Sequence, residues 1–164
     1  MGVKMQVIVP ERFTDPKKLL RALRNGMKNV AADVKVDFVT TTRTWKHKPS
    51  FQITEVSEAE WIVSTDDSIW AMLDAGTKPH IIRPKRAKRL RFQWGGPGSY
   101  RPKSRPGYLG SNKGGIKGPI VFRRQVRHPG TKPRKWTEAA KVKWDAQMGD
   151  IIQRAIDAEL ARGE

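Results

Sequence analysis

Cysteine is absent from all 164 residues, which excludes a disulfide framework, a thiolate metal site and a cysteine nucleophile. Long apolar runs are missing too: no stretch approaches the 18 residues that a membrane-crossing helix requires. The opening MGVKMQVIVPERF is too short in its apolar run for a signal peptide, and it lacks the Ser or Thr at position 6 that myristoylation favours. These features lead us to expect a protein made and used in a cytoplasm, or in a particle assembled there, with no membrane partner. Histidine is scarce, with three residues, and none shares close spacing with an acid.

Acidic residues are missing from one long interval. Between Ala75 and Thr137 there are 18 Lys and Arg and no Asp or Glu, while the remaining 101 residues carry 15 basic and 16 acidic side chains. The formal charge of +17 is therefore local. Unbalanced like charge opposes compaction, so this interval calls for a polyanion or an acidic neighbour.

The rest of the chain has patterned apolar residues and is long enough for one domain, 1–164, with a core of its own. Lys4–Val9 reads as a short strand ended by Pro10. Thr14 or Asp15 caps a long amphipathic helix with Pro16 in its first turn, running to about residue 43. Its stripe is Leu19, Leu20, Leu23, Met27, Val30, Val34 and Phe38. Phe51–Val56 and Trp61–Thr65 read as a hairpin. Asp67–Asp74 fits a helical turn or a strand equally well. His80–Ile82, Arg89–Phe92 and Ile120–Arg127 have strand character. A second long helix starts near Trp136 or Thr137, with Trp144, Met148, Ile151, Ile152, Ala155, Ile156 and Leu160 on one face. The outline predicts an α+β fold: a small mixed or antiparallel sheet flanked by two long helices.

Between Trp94 and Pro119 lie eight glycines and five basic residues among scattered apolar ones. Such a segment buries too little surface to offset the ordering of its backbone, and it reads as a flexible basic loop over 94–118. Removal of 97–117 is expected to leave a folded protein. Arg101, Lys103, Arg105, Lys113 and Lys117 in this loop, and Arg83, Lys85, Arg86, Lys88, Arg89 and Arg91 before it, are the candidate contacts to DNA or to an acidic protein neighbour. Trp94, Tyr100 and Tyr108 are interleaved and available for stacking. A merely solubilising flap is the bland alternative.

Gly76-Thr-Lys-Pro79 recurs as Gly130-Thr-Lys-Pro133, each copy beside a histidine, His80 and His128. Gly76, Thr77, Gly130 and Thr131 read as structural turns; a clamp for phosphate or metal is the sharper alternative, opposed by the surrounding Lys and Arg. No catalytic residues and no metal site are indicated. No motif arranges Asp66, Asp67 and Asp74 to hold a nuclease metal, and the Asp66-Asp67 pair fits capping or turn roles better. Trp61, Trp70, Trp136 and Trp144 are candidate core or interface anchors, and Trp45 and Trp94 candidate contacts with neighbours.

One ordered set of motifs goes beyond composition. WAMLDAGTKPHIIRPKRAKRLRF, a variable Gly-rich loop, and IVFRRQVRHPGTKPRKW leading into a terminal helix together resemble the tail-completion, or neck, proteins of long-tailed double-stranded DNA bacteriophages, also described as minor tail components. The matching positions are Gly76, Thr77, Pro79, His80, Ile82, Pro84, Leu90, Phe92, Val126, His128, Pro129, Gly130, Thr131, Pro133 and Trp136. Loop length, glycine content and basic charge depart from the pattern. The resemblance implies a non-enzymatic virion part without cofactors, located at the head–tail junction or the top of the tail. It implies a homo-oligomeric ring, a hexamer, around the DNA channel. Head-closure, tail-terminator or tail-tube proteins would adjoin it, with non-specific contact to phage DNA. It lends His80 and His128 no catalytic role, only turn-holding hydrogen bonds. The rival expectation is a sequence-independent nucleic-acid-binding protein never incorporated into a particle.

Overall fold

A computed structural model describes residues 15–162; the expected strand at Lys4–Val9 lies outside them. Two 26-residue helices dominate, α1 (Pro16–Thr41) and α3 (Trp136–Ala161). Asp15 caps α1, its carboxylate accepting from the Lys17 N–H at 2.9 Å, and Pro16 occupies the first turn, where a missing N–H costs little. The helices pack against each other in antiparallel sense. Arg21 meets Glu159 at one end, and at the other the Lys143 ammonium and the Trp144 indole N–H donate to Asp37 at 2.7 and 3.0 Å.

Their shared face buries two apolar clusters. One is Leu19, Ala22, Leu23, Ile152 and Ile156; the other joins Val30, Phe38, Phe51, Trp70, Trp136, Ala140 and Trp144. Leu20 and Leu160, expected in the stripes, are exposed instead. Leu20 follows Leu19 by a single residue, which turns it about 100° away from the buried line. Burial of such a stripe, more than helix propensity, stabilises helices of this length.

The hairpin β1 (Gln52–Ser57) and β2 (Glu60–Ser64) pairs Ile53 with Val63 and Thr54 with Ile62, and lies on α1. Helix α2 (Ser68–Ala75) resolves the ambiguity at 67–74 in favour of helix. Asp67 is its cap, accepting from the Trp70 N–H at 2.7 Å, and Gly76 ends it. Capping decides where an eight-residue periodicity could not. Trp70 then stacks in an aromatic cluster, 4.5 Å from Trp136, 5.0 Å from Phe38 and 4.9 Å from Phe51. Trp45, expected to contact neighbours, joins this cluster at 5.6 Å from Trp136, because the chain leaving α1 folds back over its end.

The remaining strands are β3 (His80–Ile82), β4 (Leu90–Gln93), β5 (Tyr100–Arg101), β6 (Gly115–Ile116), β7 (Ile120–Arg123) and β8 (Val126–His128). They pair in nested order: β3 with β8, β4 with β7 and β5 with β6, all antiparallel. The class is α+β. The strands form four two-stranded pieces, β1–β2 among them, rather than one continuous sheet. The acid-free interval is one folded-over antiparallel ribbon that leaves the helices after Ala75 and returns before Trp136.

Gly76 and Gly130 start and finish that excursion with φ of 79° and 86°. A Cβ at Gly130 would lie 2.2 Å from the Thr77 carbonyl oxygen, and one at Gly76 would lie 2.8 Å from that of Thr131. Replacing either by Val adds backbone strain of at least about 1–3 kcal/mol and a steric overlap besides. A fall in the thermal midpoint of roughly 5 °C or more is expected for each. An unchanged melt would show that these turns do not need glycine.

Candidate functional site

The ribbon is anchored where α2, its own base and α3 converge. Lys135, the residue before α3, sits at φ 55° and caps nothing with its side chain. The cap comes from a distance: the Asp74 carboxylate accepts from the N–H of Trp136 and, at 3.3 Å, from that of Thr137, and from the Thr137 hydroxyl at 2.7 Å. The Arg134 N–H and the Lys135 N–H donate to the Asp74 carbonyl, both at 3.1 Å. A carboxylate at a helix N-terminus also complements the helix dipole. Asp74 therefore serves structure, as a helix cap supplied from 62 residues away.

The two Gly-Thr-Lys-Pro copies lie opposite each other. Thr77 and Thr131 exchange both backbone hydrogen bonds, at 2.9 and 3.1 Å, and the Thr131 N–H also reaches the Thr77 hydroxyl. Next along the ribbon His80 faces His128, with ring centroids 5.0 Å apart. His80 Nδ1 bonds to the Lys78 carbonyl and His128 Nδ1 accepts from the Gly130 N–H. Each imidazole thus braces its own turn. Among the described residues, no group of three or more His, Asp or Glu is placed to hold a metal ion.

The stem carries the basic side chains outward. Arg83, Lys85, Arg86, Lys88, Arg89 and Arg91 are all exposed, and so are Arg123, Arg124 and Arg127 on the returning strands. Among the described residues, Lys135 with Glu138 is the one ion pair made by the eighteen basic residues of this interval. Apolar groups share the surface: Ile81, Ile120 and Phe122 are close to half exposed, as is Trp94.

The apex departs from the expected loop without core contacts. Beyond β5 it folds back onto the helices. Leu109 packs against the aromatic cluster, Ser104 is buried, and the Gly110 N–H donates to the Thr41 hydroxyl at 2.9 Å. The Gly107 N–H donates to the Arg134 carbonyl at 2.7 Å. Lys103, a candidate contact residue, is directed inward, its ammonium donating to the Thr44 carbonyl at 2.7 Å. Arg101, Arg105, Lys113 and Lys117 are exposed, as are Tyr100 and Tyr108. One apolar residue among so many glycines carried too little signal to reveal this docking.

A second polar pair braces the hairpin's exit. His47 bonds to Asp67, and that hydrogen bond holds the Asp67 carboxyl below the usual carboxylate range; partial burial opposes the shift and the Trp70 N–H reinforces it. A carboxyl depressed in the folded state contributes stability above its unfolded value and loses it as pH falls through the folded one. Asp67→Asn should therefore flatten the loss of thermal stability as the pH falls below about 4, relative to the parent. Equal acid sensitivity in both proteins would remove Asp67 from the account.

No protein-family model, curated protein or solved structure matches the chain. No helix of the described residues is long and apolar enough to cross a membrane.

The docked apex makes its own prediction. Leu109→Ala should cost about 1–2 kcal/mol, below the roughly 2–5 kcal/mol of a fully buried leucine because Leu109 is partly exposed, and should speed proteolysis within 102–114. A variant as stable and as resistant as the parent would show that the apex stands free of the core.

Proposed function

We propose that this chain is a non-enzymatic structural subunit of a phage particle, a tail-completion or neck protein that forms part of the head–tail junction around the DNA channel. The observation that carries the reading is the ribbon: a folded, acid-free excursion whose basic side chains, Lys135 with Glu138 apart, make no ion pair among the described residues. A surface built this way is matched by anions supplied from outside, either phosphates of DNA passing close by or carboxylates of adjoining protein. The ordered motifs from Gly76 to Trp136 that resemble the neck family build the ribbon's base and the strands that rise from it, which supports the same reading. In it the subunit acts in a ring of six copies next to head-closure, tail-terminator or tail-tube proteins, needs no cofactor, and touches DNA without reading sequence.

A two-stranded ribbon also has the width to lie in a DNA major groove. That geometry favours, as a second reading, a sequence-independent DNA-binding protein outside the particle. The two separate experimentally. Mass spectrometry of purified particles, followed by antibody labelling under the electron microscope, should find this chain at the head–tail junction. Its absence from particles, together with tight DNA binding whose log K falls steeply with log salt, would overturn the neck reading in favour of the rival.

A further inference from the structure

The acid-free ribbon has a counterpart in the same chain. From Pro49 to Thr77 there are six acidic residues and no basic one. Three have internal duties: Glu55 pairs with Arg24, Asp67 with His47, and Asp74 caps α3. Glu58, Glu60 and Asp66 are exposed and make no ion pair among the described residues. They surround the β1–β2 hairpin, whose outward side presents Val56 and Ile62, both about half exposed.

Strand alternation gives the ribbon a face of the same build and opposite sign. Arg91 shares one side of β4–β7 with Phe122 and Ile120, and the exposed Arg89 and Arg124 flank it in the bends beside the Leu90–Arg123 pair. Both elements are two-stranded, so each keeps an outer edge of unpaired backbone groups, the usual template for pairing with another chain. Within the chain no ion pair joins them among the described residues.

We propose that the occupant of the hairpin face is a second copy of this chain: the acidic β1–β2 hairpin of one subunit receives the basic β4–β7 face of the next. Two basic faces would repel each other and two acidic ones likewise, so charge selects a head-to-tail contact. Contacts of this heterologous kind generate rings when the rotation closes. Three free carboxylates cannot neutralise the whole ribbon. The surplus, on the β3–β4 turn and the outer apex, is left for DNA or another neighbour. The proposal rests on the ring reading for closure alone; the contact itself stands without it.

The test is a charge swap in the full-length, nuclease-treated protein, followed by sedimentation velocity at low and high salt. The parent should self-associate at 50 mM salt and dissociate near 1 M. Glu58→Lys with Glu60→Lys, or Arg89→Glu with Arg91→Glu, should each weaken association roughly 100-fold or more while circular dichroism stays unchanged. Mixing the two variants should restore assembly, because each then offers the other an opposite charge at both faces. A monomeric parent at every salt, wild-type assembly by either variant alone, or no rescue on mixing would overturn the proposal. So would association that requires added DNA, which would make DNA the occupant. Restored assembly into open filaments instead of closed rings would keep the contact and contradict the ring.

Discussion

The Asp74 carboxylate holds three parts of this protein together. It sits at the end of α2, caps the first turn of α3, and stands immediately before the Thr77–Thr131 pairing that closes the base of the ribbon. Sixty residues of strongly basic chain leave and return through that single junction. Without it, repulsion among the ribbon's charges would act directly on the start of α3 and on Trp136, the fully buried centre of the aromatic cluster. With it, the charged stem strands are held apart from the core, which the excursion meets again at its docked apex, and the helices pack as an ordinary amphipathic pair.

That separation explains the charge pattern. A body of mixed charge and modest hydrophobicity can fold without help, and a ribbon closed at its base needs no carboxylates of its own to keep its register. Its nested strand pairs, the turns braced by His80 and His128, and the docking of Leu109 fix its course. Apart from Lys103, bonded to the Thr44 carbonyl, and the buried Arg134, the arginines and lysines along it are then surplus to the fold. Side chains that a fold does not use, gathered under one sign, are best understood through what lies outside the chain.

Much of this architecture was legible in the sequence. The stripes in α1 and α3, the cap at Asp15, the β1–β2 hairpin and the repeated Gly-Thr-Lys-Pro turns are local signals, and local signals survive folding. What was hidden depended on distance. Asp74 caps a helix whose first residue lies 62 positions later, and Trp45 reaches Trp136 across the whole ribbon. Leu109 stands alone among glycines, so no periodicity announced that the apex returns to the core. Of the basic candidates, Lys103 is the one turned toward the body, a distinction composition cannot make. The acidic counterpart at Glu58, Glu60 and Asp66 was visible as residues, but not as a face matching another.

A ribbon of this kind requires anions from outside the chain to neutralise its charge. Electron cryomicroscopy of the particle neck, at a resolution that places side chains, tests it most directly. A ring of these subunits is expected, with Arg89, Arg91 and Arg124 against carboxylates of the adjoining copy and the remaining cations toward DNA or a neighbouring protein. Ribbons splayed into solvent, with no anionic group near those arginines, would contradict it.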